Sequence, residues 1–150
     1  MKAVIQIVQS ANLSVDGKLI SEIGKGFVIY LGVKKGDTTA AADYIVKKVS
    51  AMRIFEDENG KTNLSLKDVG GEILLVSQFT LYANTEHGNR PDFLSAERPE
   101  KANELYEYAV KGFQNNGYVV KKGVFGEHMV INQVNDGPFT IVLEKCVDNE

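Results

Sequence analysis

The apolar segments Ala3 to Gln9 and Lys18 to Ile23 read as strands on either side of the tetrapeptide Val15-Asp16-Gly17-Lys18. Asp-Gly is a strong hairpin signal, because both residues tolerate positive φ. Gly26 to Val33 is a continuous apolar run bounded by glycines and too short for a helix, which predicts a strand buried on both faces. Asp37 then offers an N-cap, with Ala41, Ile45, Val49 and Met52 on one helical stripe. Arg53-Ile54-Phe55 and Asn59-Gly60 read as a strand edge and a turn, and Glu72 to Thr80 as a second buried strand. Leu81 to Arg98 is polar and irregular, a length of loop that often marks function. Pro99 opens a second helix, with Ala102, Leu105, Ala109 and Phe113 on its buried face and Gly117 as its stop. Tyr118 to Lys121, Met129 to Val134 and Phe139 to Glu144 complete the strands. Strands outnumber helices in a mixed order, which predicts an α+β fold: two β layers with helices on one side.

Length and charge narrow the classes. At 150 residues the chain is expected to form a single domain, 1–150, large enough to need no covalent staples. One cysteine, Cys146, excludes an internal disulfide framework, and one cysteine with two histidines makes no zinc site. The longest apolar runs, such as Phe27 to Leu31, are far short of a membrane span, and the N-terminus lacks a signal-peptide layout. A cytoplasmic protein is therefore expected. Seventeen basic against twenty acidic residues give a net charge of −3, so any nucleic acid would be held locally, without a broad basic face.

Familiar catalytic templates fail. No serine sits in a Gly-x-Ser-x-Gly elbow, and His87 and His128 lie in polar or glycine-flanked loops where a solvated histidine is expected rather than a general base. Asp57-Glu58-Asn59-Gly60 begins like a calcium loop but lacks the rest of the ligand series, so it reads as a turn. Gly24-Lys25-Gly26 is too short to cradle a phosphate. Glu104 and Glu107 form a solvated helix face, and Cys146 reads as an inert, half-buried thiol. An enzyme with so few activated side chains must rely on backbone dipoles and positioning.

Two segments stand out. Ser77-Gln78-Phe79-Thr80-Leu81 ends the most apolar strand with three hydrogen-bonding side chains around one aromatic. It is either an ordinary strand end facing solvent or a polar patch on which N–H groups and hydroxyls converge on a ligand. Asn135-Asp136-Gly137-Pro138-Phe139-Thr140 lies between two strands and reads most simply as a hairpin turn. Were its Gly-Pro bond cis, the turn would aim two successive carbonyls at one point.

Taken together, Ser77-Gln78-Phe79-Thr80-Leu81, Tyr82-Ala83-Asn84-Thr85, Gly88-Asn89-Arg90-Pro91 and Asn135-Asp136-Gly137-Pro138-Phe139-Thr140 resemble the D-aminoacyl-tRNA deacylase family. The likeness covers essentially the whole chain, from Val4-Ile5-Gln6 through Arg53-Ile54-Phe55 to Phe125-Gly126 and Met129.

The resemblance implies a metal-independent, cofactor-free ester hydrolase that acts on the acceptor end of tRNA carrying a D-amino acid, or glycine misacylated onto alanine tRNA. It implies a homodimer with its active sites at the subunit interface and no membrane or DNA partner. Carried over, the carbonyls of Gly137 and Pro138, reaching from one subunit into the other's pocket, would hold the α-amino group and exclude an L side chain. Ser77, Gln78, Phe79 and Thr80 would line the opposite wall, with the Phe79 N–H as oxyanion donor and Thr80 as nucleophile or positioning hydroxyl. Asn135, Thr140, Met129 and Phe125 would support the site. The chain departs from the family at Ile7, where an arginine that braces the Gly-Pro loop is common. Gln133 replaces a usual apolar residue and Phe139 a usually smaller one. Relatives linked to DNA replication supply the alternative, a non-catalytic nucleic-acid-binding module.

Overall fold

The computed structural model describes residues 1–146. Its first strand, β1 (Lys2–Val15), alternates: Ala3, Ile5 and Ile7 are buried against the helices, and Gln6 faces the other way. Asp16 and Gly17 both take positive φ, 51° and 77°, and the chain reverses into β2 (Lys18–Ile23) as the Asp-Gly signal predicts. β2 continues into β3 (Gly26–Gly32) along the same edge of β1, so that β1 pairs antiparallel with β3 over Lys2–Val8 and with β2 over Ala11–Val15. β3 is buried on both faces, as expected, because β6 (Glu72–Ser77) pairs parallel to it while helices and a second apolar cluster cover it.

Helix α1 (Thr39–Ala51) buries Ala41, Ile45 and Val49, and α2 (Pro99–Asn115) buries Ala102, Leu105, Ala109 and Phe113. Both stripes match the pattern, and Gly117, at φ 90°, lies just past the end of α2. The two helices pack together on the Ile5/Ile29/Leu75 face of the sheet, where full burial of each large side chain contributes roughly 1.5–3 kcal/mol. The sheet order is β2-β1-β3-β6-β7, with β7 (Val120–Lys122) parallel to β6 and β8 (Val130–Glu144) on the free edge of β1. β2 curls round until the Ser21 hydroxyl donates to the Lys122 carbonyl at 2.5 Å, nearly closing the sheet into a barrel. β4 (Phe55–Glu56) and β5 (Thr62–Leu64) form a separate small hairpin. The expected α+β architecture is therefore present, with mixed sheets and the helices on one side.

Several local expectations give way to contacts distant in sequence. Asp37 does not cap α1, whose N-cap residue is Thr38. It is buried instead, ion-paired with the Met1 amine at 2.7 Å and accepting the Lys34 N–H at 2.7 Å. β6 stops at Ser77, and a 3-10 turn follows over Phe79–Tyr82, so Thr80 lies on a helical turn rather than a strand. The last inner strand covers Val120–Lys122 rather than Tyr118–Lys121. Cys146 is exposed, not half-buried. Glu107 of the solvated face is ion-paired with Lys122 at 2.6 Å.

The Asn135–Thr140 segment differs most. It is not a hairpin turn, because both flanking stretches pair antiparallel with the same strand: Val130–Asn135 with Val8–Ser14, and Thr140–Glu144 with Lys2–Gln6. Asp136 to Phe139 therefore stand opposite the single residue Ile7, as a bulge that projects from one continuous strand.

Candidate active site

The end of β6 opens into a cavity of about 440 Å³. Ser77, Gln78 and Phe79 form one wall, Phe125 and Met129 another, and the first turn of α2, at Pro99 and Ala102, closes the side. Five residues singled out in the sequence thus share one cavity. The framework behind it is fixed by hydrogen bonds. The Gln78 N–H donates to the Leu31 carbonyl at 2.9 Å, extending the β3–β6 pairing, and the Tyr106 hydroxyl on α2 donates to the Leu75 carbonyl at 2.7 Å. Burial holds the Tyr106 hydroxyl well above its ordinary pKa, so it remains a donor. The Tyr106 ring in turn packs on Phe125, with centroids 6.3 Å apart.

Thr80, next in the chain after Phe79, does not line the cavity. It is exposed, and its Oγ1 accepts a hydrogen bond from the Gln78 side-chain amide. Phe79 is 54% exposed and packs edge-to-face on Phe93, centroids 5.0 Å apart. Phe93 belongs to the long irregular segment, so that loop supports the site. Its role was not legible, because an isolated aromatic in a polar loop carries no pairing signal. At the start of a helical turn the first N–H groups have no intrahelical acceptor. Among the described residues, neither the Phe79 nor the Thr80 N–H donates to another group. Two backbone donors are thus presented beside the Gln78 amide and the Thr80 hydroxyl, an arrangement able to stabilise a developing oxyanion. The titratable groups at this cavity are Glu127 and His128, both exposed.

The Gly-Pro bulge is elsewhere on the chain. The Gly137-Pro138 bond is cis, Gly137 has φ 133°, and Asp136 to Pro138 are exposed. Ile7, Phe55 and Phe139 line a separate cavity of about 270 Å³ beside it. Gly137 and Pro138 do not reach the Ser77–Phe79 cavity of their own chain. Asn135 and Thr140 support the bulge from its two ends. Asn135 Oδ1 accepts from Gln133 Nε2 at 2.6 Å, and Thr140 Oγ1 from Gln6 Nε2 at 3.3 Å. Along the rest of β8, Val130, Val134 and Val142 are each more than half exposed. Among the described residues, no helix is long and apolar enough to cross a membrane.

A family profile described as D-Tyr-tRNA(Tyr) deacylase matches residues 4–144. A D-aminoacyl-tRNA deacylase of Lactobacillus acidophilus is 54% identical over 144 residues, covering 96% of this chain and 99% of the relative. One of Clostridioides difficile is 49% identical over 96% of this chain and 97% of its own length. Among solved structures, one described as a c-Myc DNA unwinding element binding protein superposes with a TM-score of 0.92 at 40% identity, covering 98% of this chain and 100% of that one. A probable eukaryotic D-amino acid tRNA deacylase shares the fold, with a TM-score of 0.81 at 17% identity over 95% and 97% of the two chains.

Proposed function

Because this chain belongs to the D-Tyr-tRNA(Tyr) deacylase family, we infer that it is a D-aminoacyl-tRNA deacylase, a hydrolase cleaving the ester between a D-amino acid and its tRNA, and we propose the site at which it does so. The Ser77–Thr80 corner receives the acceptor end. The observation that carries this is the pair of undonated N–H groups at Phe79 and Thr80, at the end of the strand whose Ser77, Gln78 and Phe79 line a cavity together with Phe125 and Met129. An aminoacyl ester is already activated, so oriented dipoles suffice without a strong base. Water attacks the carbonyl carbon and the bond from that carbon to the ribose 3′-oxygen breaks. The proton lost by the water passes through the neighbouring 2′-hydroxyl to the departing 3′-oxygen, so that free D-amino acid and tRNA leave. The Phe79 N–H donates a hydrogen bond to the carbonyl oxygen as negative charge develops on it, and Thr80, held by Gln78, positions the ester.

Selectivity comes from the carbonyls of Gly137 and Pro138, supplied by a second copy of the chain in a homodimer. Two observations support this reading: the bulge projects from β8 into solvent, away from its own chain's cavity, and the exposed valines of β8 offer an apolar surface to another copy. Fixed carbonyls bind the α-amino group and collide with the Cβ of an L residue. A D side chain points outward, and glycine, having no Cβ, is cleaved as well, including glycine on alanine tRNA.

The relative described as a DNA unwinding element binding protein favours a second reading, a non-catalytic nucleic-acid-binding module. The net charge of −3 weighs against it, since duplex binding draws on many phosphate contacts. Incubating the protein with D-Tyr-tRNA and, separately, with duplex DNA distinguishes the two. Hydrolysis without a band shift supports the deacylase, and a band shift without hydrolysis overturns it.

A further inference from the structure

Beneath the Gly-Pro bulge, on the sheet face away from the helices, lies a directed chain of side-chain hydrogen bonds. The Tyr30 hydroxyl, on β3, donates to Gln133 Oε1 at 2.8 Å. With Oε1 as the acceptor of that bond, both N–H bonds of Nε2 are free to donate. They go to Gln6 Oε1 at 2.8 Å and to Asn135 Oδ1 at 2.6 Å. Gln6 then donates through Nε2 to Thr140 Oγ1 at 3.3 Å. Asn135 and Thr140 are the residues immediately before and after Asp136–Phe139. One glutamine therefore holds both feet of the bulge, the first directly and the second through Gln6. Half-burial pushes the Tyr30 pKa up, so its hydroxyl stays a donor.

Nothing equivalent holds the bulge itself. Among the described residues, no side-chain hydrogen bond reaches Asp136, Gly137 or Pro138, and on the helix-facing side Ile7 and Phe139 border the cavity of about 270 Å³. A loop that works by steric exclusion must be held to a fraction of an ångström, and errors near 1 Å in placement cost about 100-fold.

We propose that Gln133, oriented by Tyr30, is the positioning residue that fixes both ends of the Gly137-Pro138 bulge and so sets the enzyme's discrimination between D- and L-aminoacyl esters. This rests on the reading of Gly137 and Pro138 as the chiral selector, and the test separates the two. The variants are Gln133→Leu, of similar size, Tyr30→Phe, which removes only the hydroxyl, and Gly137→Ala. The readouts are kcat/KM for D-Tyr-tRNA and L-Tyr-tRNA, with Tm alongside.

Both Gln133→Leu and Tyr30→Phe are expected to lower the D-to-L ratio between ~10- and ~100-fold. The double variant should lose no more than Gln133→Leu alone, because both cut the same chain. A role confined to stability would lower Tm and leave the ratio of the folded enzyme unchanged. If Gln133→Leu does not fold, Tyr30→Phe decides. An unchanged ratio in the Tyr30 and Gln133 variants, with a collapsed ratio in Gly137→Ala, overturns this proposal and leaves the selector standing. An unchanged ratio in Gly137→Ala overturns both.

Discussion

Replacing Thr80 with alanine removes one exposed hydroxyl and the acceptor to which the Gln78 amide donates. The Gln78 amide can turn to water, so the fold should lose little: an exposed site of this kind changes stability by about 0.5 kcal/mol or less, roughly 1–2 °C in Tm. Activity is different, because in the proposed mechanism the Gln78–Thr80 pair orients the ester against the Phe79 N–H. Losing one neutral hydrogen bond in the transition state costs about 0.5–1.5 kcal/mol, hence roughly 2- to 12-fold in kcat. Removing a covalent nucleophile instead would cost roughly 10⁴-fold or more. Single-turnover hydrolysis of D-Tyr-tRNA by Thr80→Ala and Thr80→Ser separates the two. A loss near tenfold in alanine, largely restored in serine, fits a positioning hydroxyl. Abolished activity in alanine, together with an acyl-threonine trapped on the wild-type protein, would refute attack by water.

Other consequences are as specific. Asp37→Ala should cost about 3 kcal/mol and lower Tm by roughly 6–12 °C in thermal unfolding, because it strips a buried ion pair and the acceptor for the Lys34 N–H; a change under 2 °C would contradict the assigned contacts. Substrate binding should depend weakly on salt, with a log–log slope shallower than about −3, as expected for a grip limited to the acceptor end and few phosphates. The Lys61 N–H, and after it the Asn59 N–H, hold the Asp57 carboxyl below the usual aspartate range. A lowered native pKa means that this contribution is complete above the unfolded value and disappears as pH falls through the native one. The protection of the Lys61 amide against exchange, relative to its intrinsic rate at the same pH, should therefore fall at acid pH, and in Asp57→Asn that pH-dependent step should vanish.

What the sequence reveals and conceals follows from how local each determinant is. Asp16-Gly17 dictates its hairpin by its own φ preferences, and the stripes Ala41/Ile45/Val49 and Leu105/Ala109/Phe113 dictate helices because their spacing is the helical period. Ser77, Gln78, Phe79, Phe125 and Met129 share a cavity, as the resemblance leads one to expect of a common site. Asp37 misleads because its neighbours look like a cap, while its partner is the Met1 amine. Gly-Pro between two apolar stretches carries turn chemistry, yet β1 pairs with both stretches, so the chain bulges instead of reversing. Tyr30 sits in an apolar run that reads as plain core, and its partner Gln133 is 103 residues away. No window on the sequence spans that bond, although a lone hydroxyl in a buried strand is the kind of signal that asks for a distant partner.

Chirality at the ester is the property that selection by the Gly137-Pro138 bulge must produce. Matched D-Tyr-tRNA, L-Tyr-tRNA and glycyl-tRNA, incubated with the purified protein, give the most direct measurement. The D and glycyl esters should be hydrolysed and the L ester left intact. Equal cleavage of the D and L esters would contradict selection by the Gly137 and Pro138 carbonyls, and cleavage of none would contradict the deacylase itself.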